Sequence, residues 1–256
     1  MTSAPGASTA FSEYYDRFAE ALAGSSAEDV VLGRWLHEQI ERITPRDLFV
    51  DVGPGDGVRF TAPTLRRFRR GIAVEPDAEL CRRLRESLPG LDVIQQPIRD
   101  IDPEALGRPI LIQMIHVLYC EPWDADFWWD ILRGCFDRLA PGGALLVVLQ
   151  APESGMNRLH QHFTGYLFDL PAVLQRFAAE RPGARVEITN LDAPKIVPDR
   201  ATACAIARLM ISYKDLPSSP GDDDLAAYVD AAFHRPAEGR YVMHDATTAA
   251  AVWKMA

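Results

Sequence analysis

The chain lacks an apolar run of about 20 residues, the length a membrane-spanning helix needs. Its N-terminus also lacks the basic stretch followed by an apolar one that marks a secretory leader. These absences predict a cytoplasmic protein with no membrane attachment. Cysteine is scarce: Cys81, Cys120, Cys135 and Cys204 are scattered without a C-x-x-C pair, which argues against a zinc site and a disulfide frame. Positive charge is short as well, with 27 Lys and Arg against 36 Asp and Glu and a formal net charge of −9. Nucleic acid rewards basic surfaces and is disfavoured as a partner, while cationic or neutral small molecules are favoured. There is no repeat and no convincing linker. The chain of 256 residues, 48% apolar and 25% charged, therefore reads as one domain with insertions, as a monomer or weak homodimer.

What is present centres on one stretch. Leu48-Phe49-Val50-Asp51-Val52 has strand character and runs straight into Gly53-Pro54-Gly55-Asp56-Gly57. Glycine has no Cβ and tolerates φ > 0, so a ligand can approach the bare backbone of such a turn. A second apolar run, Gly71-Ile72-Ala73-Val74, ends in Glu75. An acid at the tip of the next strand is placed to accept hydrogen bonds from a ribose. The spacing D-x-G-x-G-x-G differs from the dinucleotide fingerprint G-x-G-x-x-G. The loop contains two acids' worth of repulsion for a phosphate, Asp51 ahead and Asp56 within, and no Lys or Arg. A cationic nucleoside cofactor fits this loop better than a pyrophosphate.

Strands and helices alternate through the first half, which predicts a parallel sheet covered on both faces. Strands are expected at 47–52, 71–75, 91–95, 109–116 and 143–150, with helices near 60–70, 77–88 and 124–139 and a weak turn near 103–106. Ahead of them, Phe11, Tyr14, Tyr15, Phe18 and Leu22 share a helical face, Gly24-Ser25-Ser26 breaks it, and a second helix follows over 27–43. Past the fifth strand come a loop (151–158), an amphipathic stretch (159–180), a strand (184–191), and helices near 199–213 and 222–234. The chain closes on Arg240-Tyr241-Val242-Met243 and an apolar run reaching Trp253.

The glycine loop resembles motif I of the class I S-adenosylmethionine-dependent methyltransferases, and Val74-Glu75-Pro76-Asp77 resembles the family's acidic second motif. Leu139-Ala140-Pro141-Gly142-Gly143-Ala144-Leu145 is similar to its L-x-P-G-G-x-L segment. The resemblance implies an α/β, Rossmann-like fold: a seven-stranded, mostly parallel sheet whose last strand is antiparallel. Residues 1–45 would form lid helices over a core of 46–256, with a substrate-side insertion near 192–238. It implies S-adenosyl-L-methionine as cofactor, held by Asp51, Gly53, Gly55, Gly57, Glu75, Gln96, Ile98 and Ile115, and no metal.

Strand 4, Ile110 to Cys120, ends where a methyl acceptor belongs. This segment and the leading helices resemble the histamine N-methyltransferase branch. That likeness implies an amine acceptor met by Glu28, His116, Tyr119 and Asp245; transfer to oxygen or carbon, or nucleoside binding without transfer, are the alternatives. Ser25-x-x-Glu28 also matches a helix capping box, Asp245 also suits a turn, and His116 also suits a buried histidine. His160-x-His162 has metal-like spacing on a strand, but without supporting acids or cysteines it reads as surface. Arg66, Arg67, Arg69 and Arg70 read as a solvated helix face.

Overall fold

The computed structural model describes residues 13, 15–17, 19–20, 27–118, 125–212, 220–233 and 239–255. Helix α1 (Glu28–Glu41) leads into strand β1 (Leu48–Val52), followed by α2 (Thr61–Leu65), β2 (Arg70–Val74), α3 (Ala78–Ser87) and β3 (Leu91–Ile94). Then come β4 (Leu111–Ile115), α4 (Ala125–Arg138) and β5 (Ala144–Gln150). The second half contains α5 (Gly155–Thr164), α6 (Leu170–Glu180), β6 (Ala184–Asp192), β7 (Lys195–Val197), α7 (Arg200–Ser212), α8 (Asp222–Ala232), β8 (Tyr241–Met243) and β9 (Ala246–Lys254).

Seven strands form one sheet in the order β3-β2-β1-β4-β5-β9-β6. The pairs from β3 through β5 are parallel, and β9 runs antiparallel between β5 and β6. This is the Rossmann-like sheet expected, with its last strand reversed. The strand order turns back between β1 and β4, and ligands of open α/β sheets bind at such a switch, outside the carboxyl ends of the strands.

Side-chain alternation explains the two-sided core. Val50 and Val52 of β1 join Ile72, Val74, Ile112 and Met114 on one face, under Trp128, Leu132 and Phe136 of α4. Phe49 joins Leu111, Ile115, Leu146 and Val148 on the other, under Leu32, Trp35, Leu36 and Ile40 of α1. A period of two sends successive residues to opposite faces, so strands buried on both sides must be apolar throughout, as β5 is. Lys254 closes α4: its ammonium donates to the carbonyls of Asp137 and Leu139 at 2.8 Å each, orphan acceptors at a helix C-terminus.

A third cluster stands apart from the sheet. Met156 and Leu159 of α5 pack with Ile206 and Met210 of α7, Leu225 and Val229 of α8, and Tyr241 and Met243 of β8. β7 and β8 pair as a separate antiparallel ribbon at its base. The cluster thus extends beyond the 192–238 segment to α5 and β8.

Three sequence expectations need correction. The loop expected over 151–158 gives way to α5 at Gly155, because the Ser154 hydroxyl accepts from the Asn157 amide at 3.1 Å and caps the helix. His160 and His162 therefore lie on a helix, and His160 is buried edge-on against Phe168 with ring centroids 5.2 Å apart. The basic run is not a helix face: α2 stops at Leu65, and Arg67, Arg69 and Arg70 reach Glu41, Asp47 and Asp92. Among the described residues no helix is long and apolar enough to cross a membrane, and no group of three or more His, Cys, Asp or Glu could hold a metal ion.

Candidate active site

The glycine loop follows directly from β1. Gly53, Gly55 and Gly57 all have positive φ, at 67°, 62° and 72°. Space forbids side chains there as firmly as conformation does. A Cβ on Gly53 would lie 2.3 Å from Val117, and one on Gly57 would lie 2.6 Å from Leu84. At Gly55 the clash would be with the ring of Tyr15, 2.8 Å away. Tyr15 thus stacks on the bare backbone of the loop, and its neighbour Asp16 grips Arg83 of α3 through two contacts of 2.6 and 2.9 Å. Burial, with Asp56 close by, pushes the Tyr15 phenol up to about 12. The helical residues before α1 therefore cover the loop. Phe11, Tyr14, Phe18, Leu22 and the break at 24–26 lie outside the described residues.

Glu75 sits one residue past β2, only 3% exposed. Its two carboxylate oxygens accept from the amide of Gly55 at 3.3 Å and of Asp77 at 3.0 Å. Burial, with Asp77 and Asp51 near, pushes its carboxyl up to about 7 despite those donors. Asp77 caps α3, its Oδ1 accepting from Glu79 and Leu80 at 2.9 Å each, while its buried Oδ2 has no hydrogen-bond partner among the described residues. Glu75, which holds the loop, and Asp77 two residues on thus keep acceptor capacity to spare.

Asp51 is placed differently. It pairs in register with Gln113 of β4, and its side chain accepts from the Gln113 amide and from the Thr61 hydroxyl at 2.7 Å. Burial pushes it up to about 6, the two hydrogen bonds notwithstanding. It ties β1 to β4 and α2 beneath the loop. Ile115 is buried at the end of β4, Ile98 is half-buried in a single helical turn after β3, and Gln96 is exposed.

At the end of β4, His116 takes φ 55°, the one non-glycine residue with positive φ among those described. Its amide still donates to Val148 of β5 at 2.9 Å, so the strand turns sharply at this residue. The turn aims the ring at α1, where Nε2 lies 2.9 Å from Glu28 Oε1. The Thr247 hydroxyl of β9 donates to the same oxygen at 2.6 Å, and Gln150 Nε2 lies 3.3 Å from His116 Nδ1. Burial alone would raise the Glu28 carboxyl, but His116, Lys195 and Thr247 together hold it well below the usual range. The helix N-cap is Ala27 with no side-chain cap, and the Glu28 carboxylate reaches this cluster; Ser25, the other half of the expected capping box, lies outside the described residues.

Asp245 lies in the turn between β8 and β9, buried, with its carboxylate against the ammonium of Lys195 and near the Met156 amide at 3.4 Å. Burial pushes it up, Lys195 pulling the other way. Glu28 and His116 are in contact, and Asp245 joins them through Lys195, which also acts on Glu28. Tyr119 lies outside the described residues. Gln150, Thr247, Lys195 and Tyr15 were not among the sequence candidates. A polar residue ending the continuous apolar run of β5 was the one signal for Gln150.

No protein-family model and no curated sequence matches the chain. Solved structures do resemble it. YcgJ of Bacillus subtilis superposes with a TM-score of 0.62 at 14% identity, over 88% of this chain and 99% of its own. The N-methyltransferase NodS of Bradyrhizobium japonicum gives 0.52 at 13% identity, over 90% and 99%, and has also been solved with S-adenosyl-L-homocysteine. DhpI, solved in a complex with SAM and HEP, gives 0.53 at 20% identity, over 74% and 94%. The likeness is one of fold: a Rossmann-like methyltransferase fold spans most of this chain.

Proposed function

We propose that this protein transfers the methyl group of S-adenosyl-L-methionine to a small-molecule acceptor, with an amine nitrogen as the atom methylated. The observation that carries the reading is the pairing of two sites at the switch in strand order: a cation-free glycine cradle capped by Glu75, and the Glu28–His116 contact at the end of the adjoining strand β4.

The residues present fit the cofactor. Glu75 would accept from its ribose hydroxyls, Asp77 Oδ2 is a buried acceptor in want of a donor, and the three glycines keep the backbone open. The loop offers no cation for a pyrophosphate. NodS and DhpI, which share the fold, bind S-adenosyl-L-homocysteine and SAM.

When bound, the cofactor supplies an activated sulfonium methyl, so the protein's task is alignment and proton removal. An amine must be neutral when it attacks. In this reading His116 takes its proton, and the buried anion of Glu28 in contact with the ring stabilises the imidazolium that results. Lys195 neutralises Asp245, which leaves Glu28 as the carboxylate that balances positive charge developing on His116. The histamine branch in particular has no specific support.

Incubation with cofactor carrying a labelled methyl and a panel of amines, phenols and amino acids tests this. Transfer to amines, lowered by roughly 10²-fold or more in kcat in His116→Ala, is the expected result. Transfer confined to phenols would move the acceptor to oxygen, and cofactor binding with no transfer to any panel member would make the protein a binding module.

A further inference from the structure

The Glu28–His116 contact has a fixed polarity, and two residues on neighbouring strands set it. Gln150 and Thr247 are register partners at the end of the β5–β9 pair. Directly opposed residues project from the same face of a sheet. One of them grips each half of the dyad: the Gln150 amide meets His116 Nδ1 at 3.3 Å, and the Thr247 hydroxyl meets Glu28 Oε1 at 2.6 Å.

The donor inventory then assigns the ring. An ionised carboxylate only accepts, so the nitrogen facing Glu28, Nε2, must carry hydrogen. An amide nitrogen only donates, so the nitrogen facing Gln150, Nδ1, must present its lone pair. Thr247 must donate too, since Glu28 cannot. Each bond in the chain Gln150–His116–Glu28–Thr247 agrees with every other.

We infer that Gln150 and Thr247 are positioning residues that lock His116 with its proton on Nε2, so that Nδ1 is the atom that receives the acceptor's proton once the Gln150 amide gives up its hydrogen bond there. The inference rests on the methyl-transfer reading for the proton's source, and on the hydrogen-bond polarity alone for the tautomer. In the step itself, the amine lone pair forms the new N–C bond while the S–C pair stays on sulfur. The N–H proton of the methylated ammonium passes to Nδ1 as the Gln150 amide nitrogen withdraws from it, and the imidazolium keeps its Nε2–H on Glu28. Among the described residues, Arg59, 3.9 Å from Glu28 Oε2, and the Lys195–Asp245 pair are further charged groups near the dyad.

The tautomer can be read without cofactor or acceptor. Long-range imidazole NMR spectra of the whole protein, with isotope-labelled histidine, resolve which ring nitrogen is protonated. His116 is identified among the six histidines as the signal lost in His116→Asn, a residue that tolerates the left-handed backbone. The expected spectrum has Nε2–H and bare Nδ1. Gln150→Glu places an acceptor against Nδ1, so the ring should shift its proton there or hold two, and the acidic limb of the kcat–pH profile should rise by about one unit. Thr247→Val should lower kcat about tenfold with cofactor affinity unchanged. A wild-type Nδ1–H signal, or a tautomer indifferent to Gln150→Glu, would overturn the inference. A protein with the expected tautomer that transfers no methyl group would instead sink the functional reading and leave the ring assignment standing.

Discussion

Glu75 and Glu28 are two glutamates buried almost equally, at 3% and 5% exposure, at the same edge of the same sheet. Their carboxyls are nonetheless driven in opposite directions. Around Glu75 stand two backbone amides and two further acids, and burial lifts it to about 7. Around Glu28 stand an imidazole, a hydroxyl and a nearby ammonium, and it is held anionic. Burial sets the penalty for charge in both places, and the partners decide whether it is met. The cofactor edge is built incomplete, with acceptors waiting for a ligand's donors. The acceptor edge is built complete, its charges matched within the protein.

The comparison is broken most violently at Lys195. Lys195→Ala leaves Asp245 buried without its cation and facing the charge of Glu28, and should cost about 3–5 kcal/mol of stability in denaturant titration. Lys195→Met combined with Asp245→Leu should recover most of that, because an apolar pair of similar volume needs no compensation. A single mutant as stable as wild type would mean the acceptor edge is no more self-sufficient than the other.

The two edges differ also in how far they could be read before the structure. The glycine loop and Glu75 are local: strand, turn and acid follow one another, and their spacing carries the meaning. His116 could be located because it ends an apolar strand. Glu28 was named only through the family resemblance, and its partner Thr247, 219 positions away, was not named at all. Pairing at that range is set by the antiparallel insertion of β9 between β5 and β6, which no local pattern encodes. Lys195 was missed for a related reason. It sits in a three-residue strand, too short for periodicity to declare. The start of α5 hid behind proline, glycine and serine, which read as a loop until Ser154 is recognised as a cap.

The next effect, in size, belongs to the incomplete edge. Glu75→Ala removes the acceptor for two ribose hydroxyls, and hydrogen bonds to a charged group contribute about 1.5–3 kcal/mol each. Calorimetry should find S-adenosyl-L-methionine affinity lowered at least tenfold, beside a loss of stability in the absence of ligand because the amides of Gly55 and Asp77 lose their acceptor. Equal affinity in the folded variant would make Glu75 a structural cap for the loop.

The smallest effect isolates the protonation of Glu75 from its removal. A carboxyl whose folded pKa is raised binds protons more tightly folded than unfolded, so it stabilises the protein fully below its unfolded value of 4.5. That contribution fades as pH rises through about 7. Glu75→Gln keeps the shape and removes the titration. The stability of the variant minus that of wild type should therefore grow between pH 4.5 and 8, by about 1–2 kcal/mol once solvent relaxation is allowed for. Glu28, lowered, contributes equally to both proteins and cancels in the difference, while Asp51, which acts on Glu75, loses that repulsion in the variant and moves the difference in the same direction. Saturating cofactor should flatten the curve, because hydroxyl donors hold the wild-type carboxylate charged and bring Glu75 to the condition of Glu28. A difference that stays level with pH in the absence of ligand would mean that the amides of Gly55 and Asp77 already satisfy the charge, and that the two edges are alike.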